Sequence, residues 1–197
     1  MTTPLSAFLP LLMIAVPGAS EPLAEQAVLH SARQFCERTR LWRETSTHAV
    51  VANTPITVTW APPVTLHELE RVWFDDRRLD PTQFQAEPPN AQPDYTVAFA
   101  TPNTLTLRAP TAGTFRVVAL LKPTLSALEV PDFLYDNHAE AIASGALARL
   151  LAMPGQVWRD DQAALMHEAR FEAAVTRLYG SNLSGQQRAP IRSKPWP

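Results

Sequence analysis

The sequence predicts an α+β protein: a helical bundle built from an N-terminal helix and a C-terminal helical hairpin, with a small antiparallel β-rich insert and an extended C-terminal arm. Three observations carry this expectation. Eleven of the 19 prolines fall between Pro55 and Pro131, whereas residues 23–54, 132–153 and 155–189 contain none. Interior proline costs a helix about 3 kcal/mol, so helices belong in the empty windows and turns or edge strands in the crowded one. Apolar residues alternate with period two in the crowded stretch and recur with period 3.6 after Pro131. The corresponding segments are 1–45 (N-terminal, helical), 46–130 (the insert), 131–179 (the hairpin) and 180–197 (the tail).

Composition sets the outer limits. A chain of 197 residues with 46% hydrophobic and 18% charged residues fits one domain with enough apolar surface for a core, which excludes wholesale disorder. A net charge of −2 argues against a general nucleic-acid-coating protein. Cys36 stands alone, so neither a disulfide framework nor a Cys-rich zinc site is available. No apolar run approaches the roughly 18 residues that a spanning helix needs, so no membrane partner is expected.

The first element is ambiguous. Residues 9–16 (LPLLMIAV) followed by VPGAS carry the apolar run and small residues of a signal peptide. No Lys or Arg precedes Arg33, however, and Pro4 and Pro10 cut the run. The reading adopted is a short apolar helix docked on the domain, with cleavage near Ala19 as the alternative. The next helix opens with Ser20 at the N-cap and Pro22 in the first turn. Ala24, Ala27, Val28, Ala32, Phe35 and Cys36 form its apolar face, opposite Glu21, Glu25, Gln26, Arg33 and Arg40. On that face Cys36 reads as a buried, inert thiol.

Strands are expected around Ile56–Trp60, Leu69–Phe74, Tyr95–Phe99, Leu105–Leu107 and Phe115–Leu121, separated by Pro-, Asn- and Gly-containing turns. Leu66–Arg71 taken alone mimics a helical turn. The pattern means a small sandwich or barrel. After Pro131, a stripe of Phe133, Leu134, Ile142, Ala143, Ala146, Leu147, Leu150 and Leu151 ends at Met153-Pro154-Gly155. Asp160 or Asp161 caps the next helix, which repeats Ala164, Phe171, Ala174, Val175 and Leu178. A linker of about six residues joins the two as a hairpin. Gly145, Ala146, Leu150 and Phe171 are the packing residues, Gly145 allowing another helix to come close.

No catalytic constellation emerges. His67-Glu68-Leu69-Glu70 lacks the second His of a zinc helix, and a strand position with His67 facing solvent is expected. Asp136 and Glu140 share a helix face, but His138 lies about 200° from Asp136, so the three make a solvated face and not a metal site. His167-Glu168 is an adjacent pair pointing apart, and Asp75-Asp76 before Arg77-Arg78 reads as a neutralised hairpin tip. The chain is therefore expected to be non-enzymatic and to need no cofactor.

The tail has no periodicity. With Arg188, Arg192 and Lys194 and no acid it is +3, leaving −5 on the remainder of a chain whose total is −2. It reads as a solvated end, as a weak phosphate binder, or as a docking arm in which Ile191 and Trp196 enter a partner's pocket while Arg188, Arg192 and Lys194 meet acidic rims.

The opening FLPLLMIAVPGASEPLAEQAVLHSARQFCERTRLWRE, the stretch Val72–Leu79 and the run Pro131–Gly155, followed by Trp158-Arg159-Asp160 and Phe171, resemble tailed-phage head–tail adaptor (connector) proteins. Asp76 departs from that pattern, in which Gly is common. The resemblance implies a virion structural protein of the phage neck, assembled in the host cytoplasm. It also implies a homo-oligomeric ring, a dodecamer, between the portal protein and the tail or next connector protein, with DNA passing non-specifically through its channel. The C-terminal arm would reach the portal. The alternative is a secreted bacterial β-sandwich binding module with a cleaved signal peptide.

Overall fold

The computed structural model of the chain describes residues 1–79, 96–101 and 103–184 and is a mixed α+β fold with antiparallel sheets. In chain order the elements are β1 (Thr2–Pro4), a 3₁₀ turn (Leu5–Phe8), α1 (Leu9–Leu12), α2 (Glu21–Thr39), β2 (Arg43–Val50), β3 (Ile56–Thr59) and β4 (Val64–Phe74). They continue with β5 (Arg77–Leu79), β6 (Thr96–Thr101), β7 (Thr104–Arg108), β8 (Gly113–Pro123), β9 (Glu129–Pro131), α3 (Asp132–Leu151) and α4 (Asp161–Ser184).

The helices share one apolar core. Ala24, Val28, Ala32 and Phe35 of α2 meet Leu134, Ile142, Ala146 and Leu150 of α3 and Phe171 and Val175 of α4. The N-terminal residues belong to this core: Leu5, Phe8, Leu12 and Val16 are buried, and Phe8 stacks edge-on against Tyr135 with ring centroids 5.0 Å apart. Strand β1 anchors the segment by pairing antiparallel with β9, Thr2 opposite Pro131. This is the docked apolar segment, and a leader removed near Ala19 would take four core side chains with it. Ser20 does hold the extended backbone of an N-cap, but its hydroxyl caps nothing. At the other end Arg40 adopts a left-handed conformation (φ 53°) and its N–H closes on the Cys36 carbonyl.

Gly145 sits where α3 meets both α2 and α4. A Cβ there would fall 2.3 Å from Ser31 Oγ on α2 and 2.7 Å from the Phe171 ring on α4. The Ser31 hydroxyl, fully buried, is satisfied by donating to the Ile142 carbonyl at 2.7 Å, a cross-helix bond that needs this close approach. The α3–α4 connection, residues 152–160, is longer than the linker expected. It is held by Trp158, whose indole N–H donates to the Leu150 carbonyl at 3.2 Å, and Asp160 Oδ1 caps α4 by accepting from the Ala163 N–H at 2.9 Å. Helix α4 also continues through Gly180 to Ser184, so the first residues assigned to the tail are its last turn.

Among the described residues, the insert forms a four-stranded sheet, order β2-β8-β4-β5, and a three-stranded sheet, order β3-β7-β6. Their inner faces share a second core of Val58, Trp60, Leu66, Val72, Phe74, Val97, Leu105, Leu107, Phe115, Val117 and Leu121. Two register shifts in β4 explain its misleading spacing. The pairing with β8 slips between Leu66 and Glu68 and again between Leu69 and Arg71. Each bulge inserts one residue, so Leu66, Leu69 and Val72 reach the same face at intervals of three. Asp75 and Asp76 (φ 43° and 66°) make the two-residue β4–β5 turn with both φ positive, the geometry that matches strand twist. At the tip, Asp75 Oδ1 accepts the Thr114 N–H at 2.8 Å and Asp76 lies 3.9 Å from Arg116. On β6, Val97 is buried but Phe99 is 43% exposed, and the β6–β7 register shifts just after it. Tyr95 and the turn at residues 87–90 lie outside the described residues.

Gly145→Ala is expected to lower stability by about 1–3 kcal/mol, the usual range for overpacking, and Gly145→Leu by more. Urea denaturation measures it; an unchanged midpoint would mean that the helices do not meet there.

Candidate docking surfaces

The helical layer joins the four-stranded sheet through α2 and β8. Leu120, on the face of β8 opposite the sandwich core, is 1% exposed. Around it lie ion pairs from Lys122 Nζ to Glu37 (2.6 Å), Arg40 to Glu68 (2.6 Å) and Arg43 to Glu70 (2.7 Å). Arg33 donates to the Pro123 carbonyl. Burial alone would raise the Glu37 carboxyl, but the hydrogen bond and charge of Lys122, with His67 and Arg33 nearby, outweigh it and hold the group below the ordinary carboxylate range. His67 is thus half-buried at the joint on β4, not turned to solvent. Cys36 lies on the buried face of α2 with its thiol pushed up to about 12, mainly by burial and secondarily by Glu37, so it stays protonated and inert.

An open groove of about 1030 Å³ runs between α3 and α4. Asp136 and Glu140 are exposed on its rim, while His138 turns inward onto the Phe35 ring (centroids 5.1 Å apart), so the three do not converge. Among the described residues no group of His, Cys, Asp and Glu is placed to hold a metal ion. His167 and Arg170 line the facing wall with Arg177. Burial first, and then Arg177 for His138 and Arg170 for His167, lowers both imidazoles below their ordinary value. His167 Nδ1 is buried without a hydrogen-bond partner, a position that suits the neutral ring. A smaller depression on α2 and α3 collects His30, Arg33, Gln34, Glu37, Arg38 and Arg149, but its charges are engaged: Arg38 forms a bidentate pair with Glu172, and Arg149 bonds Gln34 at 2.9 Å.

Of the residues singled out from the sequence, Gly145, Ala146, Leu150 and Phe171 come together in the helix core and are not surface groups. Arg188, Ile191, Arg192, Lys194 and Trp196 lie outside the described residues. What the surface does offer is contact area: Leu165, Met166 and Tyr179 are exposed along α4, and Ile14 and Val157 elsewhere on the helical layer. Sequence reading missed these because each belongs to an otherwise amphipathic helix or a loop.

The model of the SU10 adaptor protein family matches residues 15–194, and the chain belongs to that family, a phage head–tail adaptor family. It is therefore a phage adaptor structural protein, a virion component that works with other phage neck proteins. A comparison with curated proteins finds no match. No helix among the described residues is long and apolar enough to cross a membrane.

Acidification is expected to weaken the fold in two stages. His48, His138 and His167 have lowered folded-state values, so the unfolded chain takes up protons first and stability falls as the pH drops below about 6.5. Glu37 and Glu172 are lowered by Lys122 and Arg38, so their stabilisation is present above about 4.5 and lost as the pH falls through their folded values. Thermal melts from pH 8 to pH 3 test this; a melting temperature flat between pH 7 and pH 5 would contradict the histidine stage.

Proposed function

We propose that this adaptor forms a homo-oligomeric ring between the portal protein and the tail or the next connector protein, with DNA passing through the ring without sequence recognition. The observation that carries the reading is the adaptor-family match across residues 15–194 of a chain whose last 18 residues hold three cations and no acid. In this reading the packed helices and the sandwich form the ring subunit, a dodecamer repeat, and neighbours cover the apolar residues exposed on α4. The acidic remainder repels DNA on average, which suits a conduit. Binding is concentrated in the C-terminal arm, where Ile191 and Trp196 occupy pockets on the portal and Arg188, Arg192 and Lys194 meet its carboxylates. The role is structural; no catalysis, metal or cofactor enters it.

Truncation after Ser184 tests the arm while keeping α4 whole. Circular dichroism and the melting temperature should stay at the full-length values while co-sedimentation with portal particles is lost. Portal binding by the truncated chain at full-length affinity would refute the arm's role.

A further inference from the structure

The face of the four-stranded sheet opposite the sandwich core is only partly covered. Leu120 is buried under α2; one row further along, Val118 is half-buried; beyond it, among the described residues, the face is open. The open row runs Thr47–Arg116–Trp73–Arg78 across β2, β8, β4 and β5, each residue opposite the next in register. Arg71 stands in the neighbouring row, opposite Val118, and is on this face only because the β4 bulge after Leu69 reverses the alternation. Arg71, Arg78 and Arg116 are exposed, as are Thr45, Thr47 and Thr114 beside them.

Strand spacing sets the scale. Arg78 and Arg116, two strands apart, are separated by about 10 Å at their backbones, and Arg71 lies about 7 Å along the strand from Trp73 between them. Three arginines are therefore rooted in one small patch of the sheet. Arg116 is stacked over the Trp73 ring at 4.5 Å, which presents its charge outward. Asp76, almost fully exposed and 3.9 Å from Arg116, is the carboxylate at the margin, and no ion pair among the described residues engages Arg71 or Arg78. In a chain of net negative charge this is a concentrated exception.

We propose that this face makes a sequence-independent contact with the phosphate backbone of duplex DNA. Protein docking needs an apolar centre with desolvated aromatic anchors. None of the large exposed apolar side chains among the described residues belongs to β2, β8, β4 or β5, and Trp73 is already covered by Arg116. Phosphate contact needs only cations and hydroxyl donors in a register that meets the backbone, and these the face supplies. Duplex DNA carries one charge per roughly 1.7 Å of axis, so about 10 Å of it presents some six charges to three arginines. With Trp73 unavailable for base stacking, phosphates rather than bases are the ligand. In naming DNA the inference rests on the conduit reading above, but its test needs neither ring nor portal, so failure of one is separable from failure of the other.

The test is fluorescence anisotropy of a labelled duplex of about 30 base pairs with the full chain, from roughly 50 to 300 mM salt. Arg71→Gln/Arg78→Gln/Arg116→Gln should weaken binding at least about tenfold at the low-salt end and reduce the log–log salt slope by about 2.7, the value for three lost phosphate contacts. The same three positions changed to Lys should bind within about threefold of the natural chain, which separates lost charge from a damaged sheet. Arg188→Gln/Arg192→Gln/Lys194→Gln should leave the contribution of the face in place. The proposal is overturned if the natural chain does not bind the duplex, if the Gln variant binds as well as it does, or if a permuted duplex sequence changes the affinity. It is also overturned if the Gln variant loses self-association by sedimentation while retaining DNA binding, since the occupant would then be a second copy.

Discussion

The structure depends on strand β8 serving two cores at once. Phe115, Val117, Ala119 and Leu121 point into the sandwich, and Leu120 points the other way, into α2. A strand buried on both faces must be nearly continuous in apolar residues, and Val117-Val118-Ala119-Leu120-Leu121 is that run. β8 lies inside the order β2-β8-β4-β5, so its position fixes the sheet, and its contact with α2 fixes the helices to that sheet. The polar rim, with Lys122–Glu37, Arg40–Glu68 and Arg43–Glu70, sets the angle of the joint more than it adds to stability, because most of these groups are well hydrated and exposed pairs contribute about 0–1 kcal/mol.

Proline spacing located the helices because exclusion from a helix interior is a strong local rule, and the apolar stripes of α2, α3 and α4 are local as well. Elements that depend on tertiary pairing were not legible. β2, Arg43–Val50, falls in a proline-free window and shows no apolar alternation, because as an edge strand it exposes residues such as Glu44, Thr45 and Thr47 on both sides. β1 and β9 are three residues each and exist only through each other. The bulges of β4 turn a period of two into intervals of three. The end of α4 at Ser184 was missed because Gly180 and Ser181-Asn182 are weak helix formers that the preceding helix carries along.

The same division applies to function. The cationic tail is visible in composition because its charges fall within seven residues of sequence, 188–194. Arg71, Arg78 and Arg116 come from three strands, and one of them reaches the face only through a bulge, so no window of sequence contains the patch. In the proposed reading, an acid-rich remainder with one basic face and a basic tail divides the roles of a neck component: repulsion over most of the surface, weak salt-labile contact at one place, and firm docking at another. Buried Gly145, Ser31 and Phe171 pack α2, α3 and α4 against one another.

The central claim is that this chain is a stoichiometric part of the phage neck. Intact-protein mass spectrometry of density-purified particles tests it most directly. The account predicts the chain in the particles, in fixed ratio to portal and with residues 1–19 still attached. Its absence from particles, with a form shortened near Ala19 recovered outside the host cytoplasm, would contradict it.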